Sequence, residues 1–350
     1  MRHLSTVAWL LFLVSVPLWL RSPYFLHVLI ITGIFTIAAM SLNLLLGYTG
    51  QLSLGHVAFF GIGAYTSALM SLGFDVSVTE SWKLVVAPKP VAISLAVAIV
   101  VSAFFGWLIG RLSFKVRGAY FVIVSVSFAE VVRLVALNWV ALTQGPMALN
   151  NIPPVTLWLP VLGVYRFLAK TSNYYLMLAV AVISYVVIAR LVRSRAGRAM
   201  IALRENEALA TSVGVDVTRY LVLATVVSAA IAGTAGALYA HYVRIVDPDI
   251  FLFIYTVTMV IMVVTGGKGT LAGPIVGGII FGIVPQVLRD MAGPEVQWII
   301  YGILMIVIVY FLPKGIVPAL RNGLQRRRHV RDAGIDPLAS APPPGAAQRQ

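Results

Sequence analysis

Polar side chains that can bind a ligand are sparse in the apolar runs of this chain, and one group of them lies at positions 41–65. The segment begins SLNLLLGYTGQLSLGH and carries five glycines in its length. Amide, hydroxyl and imidazole groups are costly against lipid, but unwound or closely packed helices around an aqueous path tolerate them. The pattern therefore predicts that Asn43, Gln51, Ser53, His56 and Tyr65 line a path for a solute. Packing of small residues between helices is the alternative, and it explains the glycines better than it explains Gln51 and His56.

A second polar group lies between two apolar runs, at positions 197–216. Charged and apolar residues follow one another there with helical spacing, which predicts an amphipathic helix. Such a helix could lie on the membrane surface or insert into a groove of a partner protein. The carboxylates of Glu205 and Glu207 argue against an anionic lipid surface.

A charge pair stands inside one apolar run. Glu130 and Arg133 are three residues apart, so a helix places them on the same face. An intramembrane charge pair is by default a functional hypothesis. A structural ion pair that holds two helices together is the alternative.

The segment Thr265–Gly277 reads TGGKGTLAGPIVG, and its glycines and proline cannot continue a regular helix. We predict a break between two half-spans. The segment is not a phosphate-binding loop, because Gly269 follows Lys268 where that motif needs Ser or Thr. If ATP drives this protein, another chain must bind it, and no cofactor is expected on this one.

Catalysis and metal binding find no support in the residue inventory. The chain has no cysteine, and its five histidines show no metal-ligand spacing. No clustered set of acid, base or metal ligands stands out in the sequence. We therefore predict no catalytic residue and no metal site, and an enzyme is not expected.

The elements that must position these residues are apolar helices. Hydrophobic residues make up 60% of the 350 positions and charged residues 11%, with a mean hydropathy of +0.93. Soluble proteins carry about 25% charged residues, so most of this exterior must face lipid. No strand alternation of the kind a membrane barrel needs is sustained. The chain is predicted to be an all-α integral membrane protein, a polytopic bundle of about 8–10 helices with some broken or re-entrant segments.

About ten apolar runs approach the roughly 20 residues that cross a bilayer. The predicted spans are Ser5–Leu20, Tyr24–Leu46, Leu52–Leu72, Val91–Gly110, Tyr120–Leu137, Tyr174–Leu191, Tyr220–Tyr242, Ile250–Thr265, Ala272–Leu288 and Val296–Leu312. The first and eighth runs are short and the third is rich in glycine and polar residues. Each of these three could be re-entrant instead.

The net charge of +14 comes from Lys and Arg that cluster in loops between the spans. With ten spans the three most basic regions fall on one side, which predicts that this side and both termini are cytoplasmic at a bacterial inner membrane. The same clustering disfavours nucleic acid as a partner. The predicted organisation is a first span over 1–20, a transmembrane domain over 21–315 with a cytoplasmic loop at 193–219, and a basic, then disordered tail over 316–350.

Three segments together resemble the Liv-type inner-membrane permeases of the branched-chain amino-acid ABC import family. They are NLLLGYTGQLSLGH at 43–56, GRAMIALRENEALATSVGV at 197–215 and TGGKGTLAGPIVG at 265–277. They occur in the order and at the spacing found in that family. The resemblance runs from about Ile37 to Gly315, which is nearly the whole folded part.

The resemblance implies that the loop at 193–219 holds a coupling helix that docks on a cytoplasmic ATPase subunit. The implied coupling residues are Gly197, Arg198, Arg204, Glu205, Glu207, Ala210 and Gly214. In such importers this helix carries an E-A-A-x-x-x-G pattern, of which Ala210 and Gly214 keep the spacing. Ala208 stands where the pattern has Glu, and Glu207 precedes it by one residue. This departure leaves open whether Glu207 itself makes the contact.

The resemblance also implies a transport subunit without an ATPase site of its own. Its partners would be a second homologous permease, two cytoplasmic ATP-binding subunits, a periplasmic substrate-binding protein and membrane lipid. The expected substrate is a branched-chain or related hydrophobic amino acid, with urea or a short-chain amide as the nearest alternative. An ion-coupled secondary transporter would need acidic residues at mid-membrane, and Glu130 alone qualifies in the sequence.

Overall fold

Apolar helices joined by short connections build the protein. The computed structural model describes residues 13–17, 19, 22–79, 82–113, 119–159, 163–289, 299, 302–303, 306–307, 310–312 and 315–321. The α-helices of that part are α1 (Pro23–Tyr48), α2 (Val57–Leu72), α3 (Val91–Ser113), α4 (Ala119–Asn138), α5 (Val140–Thr143), α6 (Lys170–Arg193), α7 (Arg195–Glu205), α8 (Glu207–Ser212), α9 (Val217–Val243), α10 (Phe253–Gly266) and α11 (Gly273–Arg289). Short 3₁₀ helices cover Gly145–Met147 and Pro248–Phe251.

Helix α1 is the centre of the bundle. Pro23 stands in its first turn, where the N–H that proline lacks would have no intrahelical partner. Apolar residues surround the helix axis, and a helix that is apolar all round is buried on all sides. It packs against α6, α9, α10 and α11. Its stretch from Thr36 to Leu45 is buried without interruption.

Helices α2, α3 and α9 approach one another closely through small residues. A Cβ on Gly63 of α2 would lie 2.1 Å from the carbonyl oxygen of Gly233 in α9. A larger residue at Gly63 would push α2 and α9 apart, and one at Gly233 would meet Ser102 of α3, whose Oγ would lie 2.1 Å from the added Cβ. Ser102 of α3 reaches the same region, where its Oγ donates to Phe59 O at 3.4 Å. Small-residue contacts of this kind hold helices together inside a membrane, because lipid is as apolar as their side chains.

The third predicted span, Leu52–Leu72, is non-helical at its start and helical from Val57 onward. After α1 ends, residues 50–53 are non-helical and lead through a turn at 54–56 into α2. Ser125 of α4 holds this leg, because its Oγ accepts from Leu54 N at 3.1 Å and from Gly55 N at 3.2 Å. The chain therefore has a non-helical segment at residues 50–56, as expected for a broken span.

The two ends of the bundle differ in what they carry. At the lower end α1 finishes, and α7, α8 and residues 267–272 lie beside it. At the upper end two antiparallel hairpins extend the loops: β1 (Phe74–Thr79) pairs with β2 (Trp82–Val86), and β3 (Thr156–Leu159) pairs with β4 (Gly163–Arg166). These hairpins were not predicted, but they lie outside the apolar spans, and the all-α membrane class is confirmed.

Eight of the ten predicted spans, the second to the ninth, coincide with a helix of the described residues. By length and composition α1, α3, α4, α6 and α9 suffice to cross a membrane, and α2, α10 and α11 are shorter apolar helices. The predicted break at 265–277 is also present, since α10 ends at Gly266 and α11 begins at Gly273. The first span, Ser5–Leu20, and the tenth, Val296–Leu312, lie largely outside the described residues.

Candidate functional site

The lower end brings the three sequence motifs together. Asn43, near the end of α1, directs its amide at the loop between α10 and α11. Its Oδ1 accepts from Gly269 N at 2.9 Å, and its Nδ2 donates to Thr270 O at 2.8 Å. Asn43 is 2% exposed, so both bonds are shielded from water. One side chain thus fixes the position of the loop on α1.

The bonds of Asn43 to Gly269 and Thr270 form a clamp between α1 and the loop. Arg204, at the end of α7, joins the segment at 197–215 to this clamp. Its Nη1 donates to Gly47 O at 2.6 Å, close to the C-terminus of α1, where the helix dipole favours a cation. Gly269 lies beside both groups, since a Cβ there would be 2.6 Å from Arg204 Nη1 and 2.7 Å from Gly47 O. Its φ is +74°, so both the space and the backbone conformation require glycine. Arg204 is also paired with Glu205 next to it.

The predicted single amphipathic helix is two helices, α7 and α8, and this corrects the sequence analysis. The break falls at Asn206, whose backbone is extended with φ −158°. Its Oδ1 accepts from Leu209 N at 3.0 Å and so caps the start of α8. Ser194 caps α7 in the same way, by accepting from Gly197 N at 3.3 Å. The cap residue Asn206 therefore divides the amphipathic pattern into two helices.

The α7–α8 segment buries one face and exposes another. Met200, Leu203 and Ala210 are buried against the bundle. Leu209 and Val213 are 63% and 74% exposed, and four residues apart they share a side of the segment. Two apolar side chains of that exposure, set within a charged loop, offer a surface to another protein.

The other predicted coupling residues divide between the fold and the surface. Gly197 is buried where a Cβ would lie 2.2 Å from a backbone oxygen. Arg198 is exposed, and its Nη1 donates to Arg193 O at 3.3 Å. Glu207 lies in the first turn of α8. Gly214 has φ +88° and open space where a Cβ would stand. Glycine is therefore favoured there by the backbone conformation and not by crowding within the subunit.

His56 belongs to a buried hydroxyl cluster in the middle of the bundle. Its Nε2 lies 2.8 Å from Ser41 Oγ, and that hydroxyl donates to Ala38 O at 2.6 Å. The single hydroxyl proton is thereby used, so Nε2 must donate to Ser41 Oγ. Ser228 of α9 adds a bond from its Oγ to Ser41 O at 2.5 Å. Ser228 was not among the predicted site residues. Its one signal in the sequence is a hydroxyl within an apolar run.

The predicted path residues lie at different points of the subunit, and each has its own neighbours. Asn43 is in the clamp and His56 is in the hydroxyl cluster. Tyr65 stacks on Phe251, with ring centroids 5.6 Å apart. Ser53 is 1% exposed, and Gln51 is half-buried. A place in a substrate path stays a prediction for all five.

Glu130 and Arg133 form an ion pair within α4. The Nη2 of Arg133 lies 2.7 Å from Glu130 Oε1, and its Nε lies 3.0 Å from Oε2. The Glu130 side chain is 52% exposed, on a helix long and apolar enough to span a membrane. Both partners stand on one helix, so their bond does not join two helices. The described residues hold no group of three or more His, Asp and Glu that could bind a metal ion.

The chain is similar to known membrane transport components over most of its length. The model of a family described as branched-chain amino acid transport system / permease component matches residues 24–309. The chain is 32% identical over 316 residues to the high-affinity branched-chain amino acid transport system permease protein LivM of Salmonella typhimurium, which covers 84% of this chain and 70% of that protein. It is 27% identical over 306 residues to LivH of the same organism (81% and 91% covered) and 25% identical over 320 residues to the probable branched-chain amino acid transport permease protein LivM of Methanocaldococcus jannaschii (82% and 91% covered). No solved structure matches.

Proposed function

Since the chain belongs to the family of branched-chain amino acid transport permease components, we propose that it carries branched-chain or related hydrophobic amino acids across a bacterial inner membrane. It is a transmembrane subunit of an ABC importer, and it does not hydrolyse ATP itself. The names of its relatives in two bacteria and an archaeon support the substrate class. Urea and short amides are the competing substrates to be tested in uptake assays.

The observation that carries this proposal is the exposed pair Leu209 and Val213 on a loop that is tied to the bundle through Arg204. The pair receives a cytoplasmic ATP-binding subunit, and the lower end of the bundle is then the cytoplasmic end. The clustering of Lys and Arg in its loops supports that orientation.

Arg204 gives the docking surface a physical connection to the membrane helices. When a bound ATPase subunit displaces α7 and α8, the bond from Arg204 to Gly47 O pulls on the end of α1. Asn43 passes the displacement to the loop between α10 and α11. A movement at the docking surface therefore reaches three transmembrane segments through hydrogen bonds of 2.6–2.9 Å.

The exposed ion pair of α4 supports the proposal that a second permease packs against this helix. A charged pair facing hydrocarbon is costly even when its partners neutralise each other. Coverage by a second homologous permease, or by an aqueous path between the two, removes that cost. The full importer would then hold two permeases, two ATP-binding subunits and an external substrate-binding protein.

The first experiment tests the docking surface in the assembled importer. Leu209→Asp places a charge in the proposed contact, and we expect it to abolish copurification of the ATP-binding subunit and substrate-stimulated ATP hydrolysis. Thr211→Asp is the matched control, because position 211 lies about 200° around α8 from position 209. Unchanged copurification in Leu209→Asp would show that the ATPase subunit docks elsewhere.

A further inference from the structure

A cavity of about 290 Å³ opens at the upper end, on the opposite side of the molecule from the motif clamp. It lies between the start of α1, the start of α6 and the end of α9. The side chains that matter for its chemistry are His27, Lys170, Asn173, Tyr242 and Arg244.

The polar lining of this cavity is basic. Lys170 and Arg244 carry full positive charges. Among the described residues, no Asp or Glu lines the cavity to balance them. An anion entering it would meet opposite charge on two sides.

Both cations keep donors available for a ligand. Lys170 Nζ donates to Pro23 O at 3.0 Å, and an ammonium has two further protons. Arg244 donates to Ile152 O from Nε at 3.1 Å. Within the described part of the chain, the two terminal nitrogens of its guanidinium make no further hydrogen bond, and those nitrogens form the fork that matches a phosphate or carboxylate.

Arg244 is held in place at a conformational cost. Its φ is +68°, a left-handed conformation that Gly or Asn adopts more readily. The neighbouring backbone fixes it further: Leu149 and Val246 exchange two hydrogen bonds of 2.8 and 3.0 Å, and His241 Nδ1 lies 2.7 Å from Pro153 O. Arg244 is the C-cap of α9, a position that often takes the left-handed conformation, and these bonds on either side of it hold its backbone at the cavity wall.

The surroundings favour a phosphate group over an amino acid. A zwitterion would bring its ammonium against the charges of Lys170 and Arg244, and no described carboxylate in the lining could receive it. Exposed aromatic rings occur at the start of α1, in β4 and near the start of α6, at the same end of the bundle, and such rings are typical of the level of lipid headgroups. They are Tyr24, Phe25, Tyr165 and Tyr175.

We propose that this cavity binds a phosphate group, between Lys170 and Arg244, and that an anionic phospholipid headgroup supplies it. A free phosphate ion shares that chemistry, and the test below separates the two sources. The site is independent of the docking surface at the lower end.

The test measures binding to the purified full-length chain in nanodiscs. Nanodiscs of phosphatidylcholine alone are compared with nanodiscs that also contain phosphatidylglycerol, and inorganic phosphate is added to the first kind in a third arm. Lipid retained after extraction is counted by native mass spectrometry, and the thermal midpoint is recorded. We expect phosphatidylglycerol to be retained in preference to phosphatidylcholine, and Lys170→Gln with Arg244→Asn to reduce that retention roughly tenfold.

The variants are chosen to preserve the fold. Asn tolerates the left-handed conformation at position 244, and the Gln amide can keep the bond to Pro23 O. Lys170→Gln alone serves if the double variant misfolds. Arg166→Gln is the control, because Arg166 is exposed at the same end without lining the cavity.

Stabilisation of the wild type by phosphatidylglycerol supports the lipid as ligand, and stabilisation by inorganic phosphate alone supports the site with a free ion as its source. Equal retention of both lipids, or equal effects in wild type and variants, would overturn the site. If the variants keep their lipid but lose uptake that depends on the external binding protein, the cavity receives an acidic protein side chain and the phosphate proposal is wrong.

Discussion

Asn43 shows what a single amide can do that a hydroxyl cannot. It accepts from Gly269 N and donates to Thr270 O at the same time, so it holds two consecutive backbone groups of one loop. A Ser side chain at this position is too short to reach both. The sequence pattern predicts Asn43 in a substrate path, and the structure adds a role in holding the loop.

Replacing Asn43 with Leu should destabilise the subunit and impair uptake. The volume is nearly kept, but a half-buried N–H and a half-buried carbonyl lose their partner, and each such loss costs about 1 kcal/mol. The measurement is the thermal midpoint in detergent together with substrate uptake. Asn138→Leu is the control, because the Asn138 side chain makes one local bond to Leu134 O at an exposed site. Equal midpoints for the two variants would contradict the clamp.

Gly269 and Gly214 form a natural pair for a second prediction. Both have positive φ, so Ala should cost about 1–2 kcal/mol at either position. At Gly269 the added methyl also meets Gly47 O and Arg204, whereas at Gly214 it meets open space. Gly269→Ala should therefore lower the thermal midpoint further than Gly214→Ala. A lower thermal midpoint for Gly214→Ala than for Gly269→Ala would mean that the loop between α10 and α11 shifts to accommodate the added methyl at little cost.

Helices α7 and α8 are the element that we propose couples the ATP-binding subunit to the membrane helices without crossing the membrane. Their buried residues anchor the segment, the bond from Arg204 reaches α1, and the exposed pair faces outward. The segment is short and capped at both starts by side chains. Each of the two helices therefore starts at a defined cap residue, and Asn206 joins them.

Arg204→Ala should separate ATPase docking from transport. The exposed pair remains, so the ATP-binding subunit should still copurify and hydrolyse ATP, but movement no longer reaches Gly47 and uptake should fall more than tenfold. The measurement is the ratio of uptake to ATP hydrolysis in proteoliposomes. Arg198→Ala is the control, since Arg198 bonds only to a nearby carbonyl of α6. A wild-type ratio in Arg204→Ala would remove the coupling role.

Sequence patterns predicted the helices well and the connections poorly. Apolar runs fix where a chain can cross lipid, because backbone polar groups there must bond within the helix. The hairpin between Phe74 and Val86 and the break at Asn206 depend on local turns and caps that leave no long-range pattern. The same limit applies to the site, since the bond from Arg204 to Gly47 joins residues 157 positions apart.

At the scale of the whole molecule, the proposed orientation can be measured directly. The chain has no cysteine, so single cysteines report their own accessibility. Val213→Cys at the lower end should react with a membrane-impermeant thiol reagent only after the cells are permeabilised. Leu168→Cys, 64% exposed at the upper end, should react in intact spheroplasts. The opposite pattern would invert the orientation and place the docking surface outside the cell.

The burial of α1 has a consequence for how the protein is made. This helix is surrounded by α6, α9, α10 and α11, all of which follow it in the chain. During synthesis it must therefore enter the bilayer before its neighbours exist, with Ser41 and Asn43 facing lipid. Its apolar composition makes it stable in the bilayer until the later helices displace lipid from its surface. The segment most deeply enclosed in the finished protein is thus among the first to be exposed to the membrane. Helices α6 to α11 are therefore necessary for its final environment and not for its insertion.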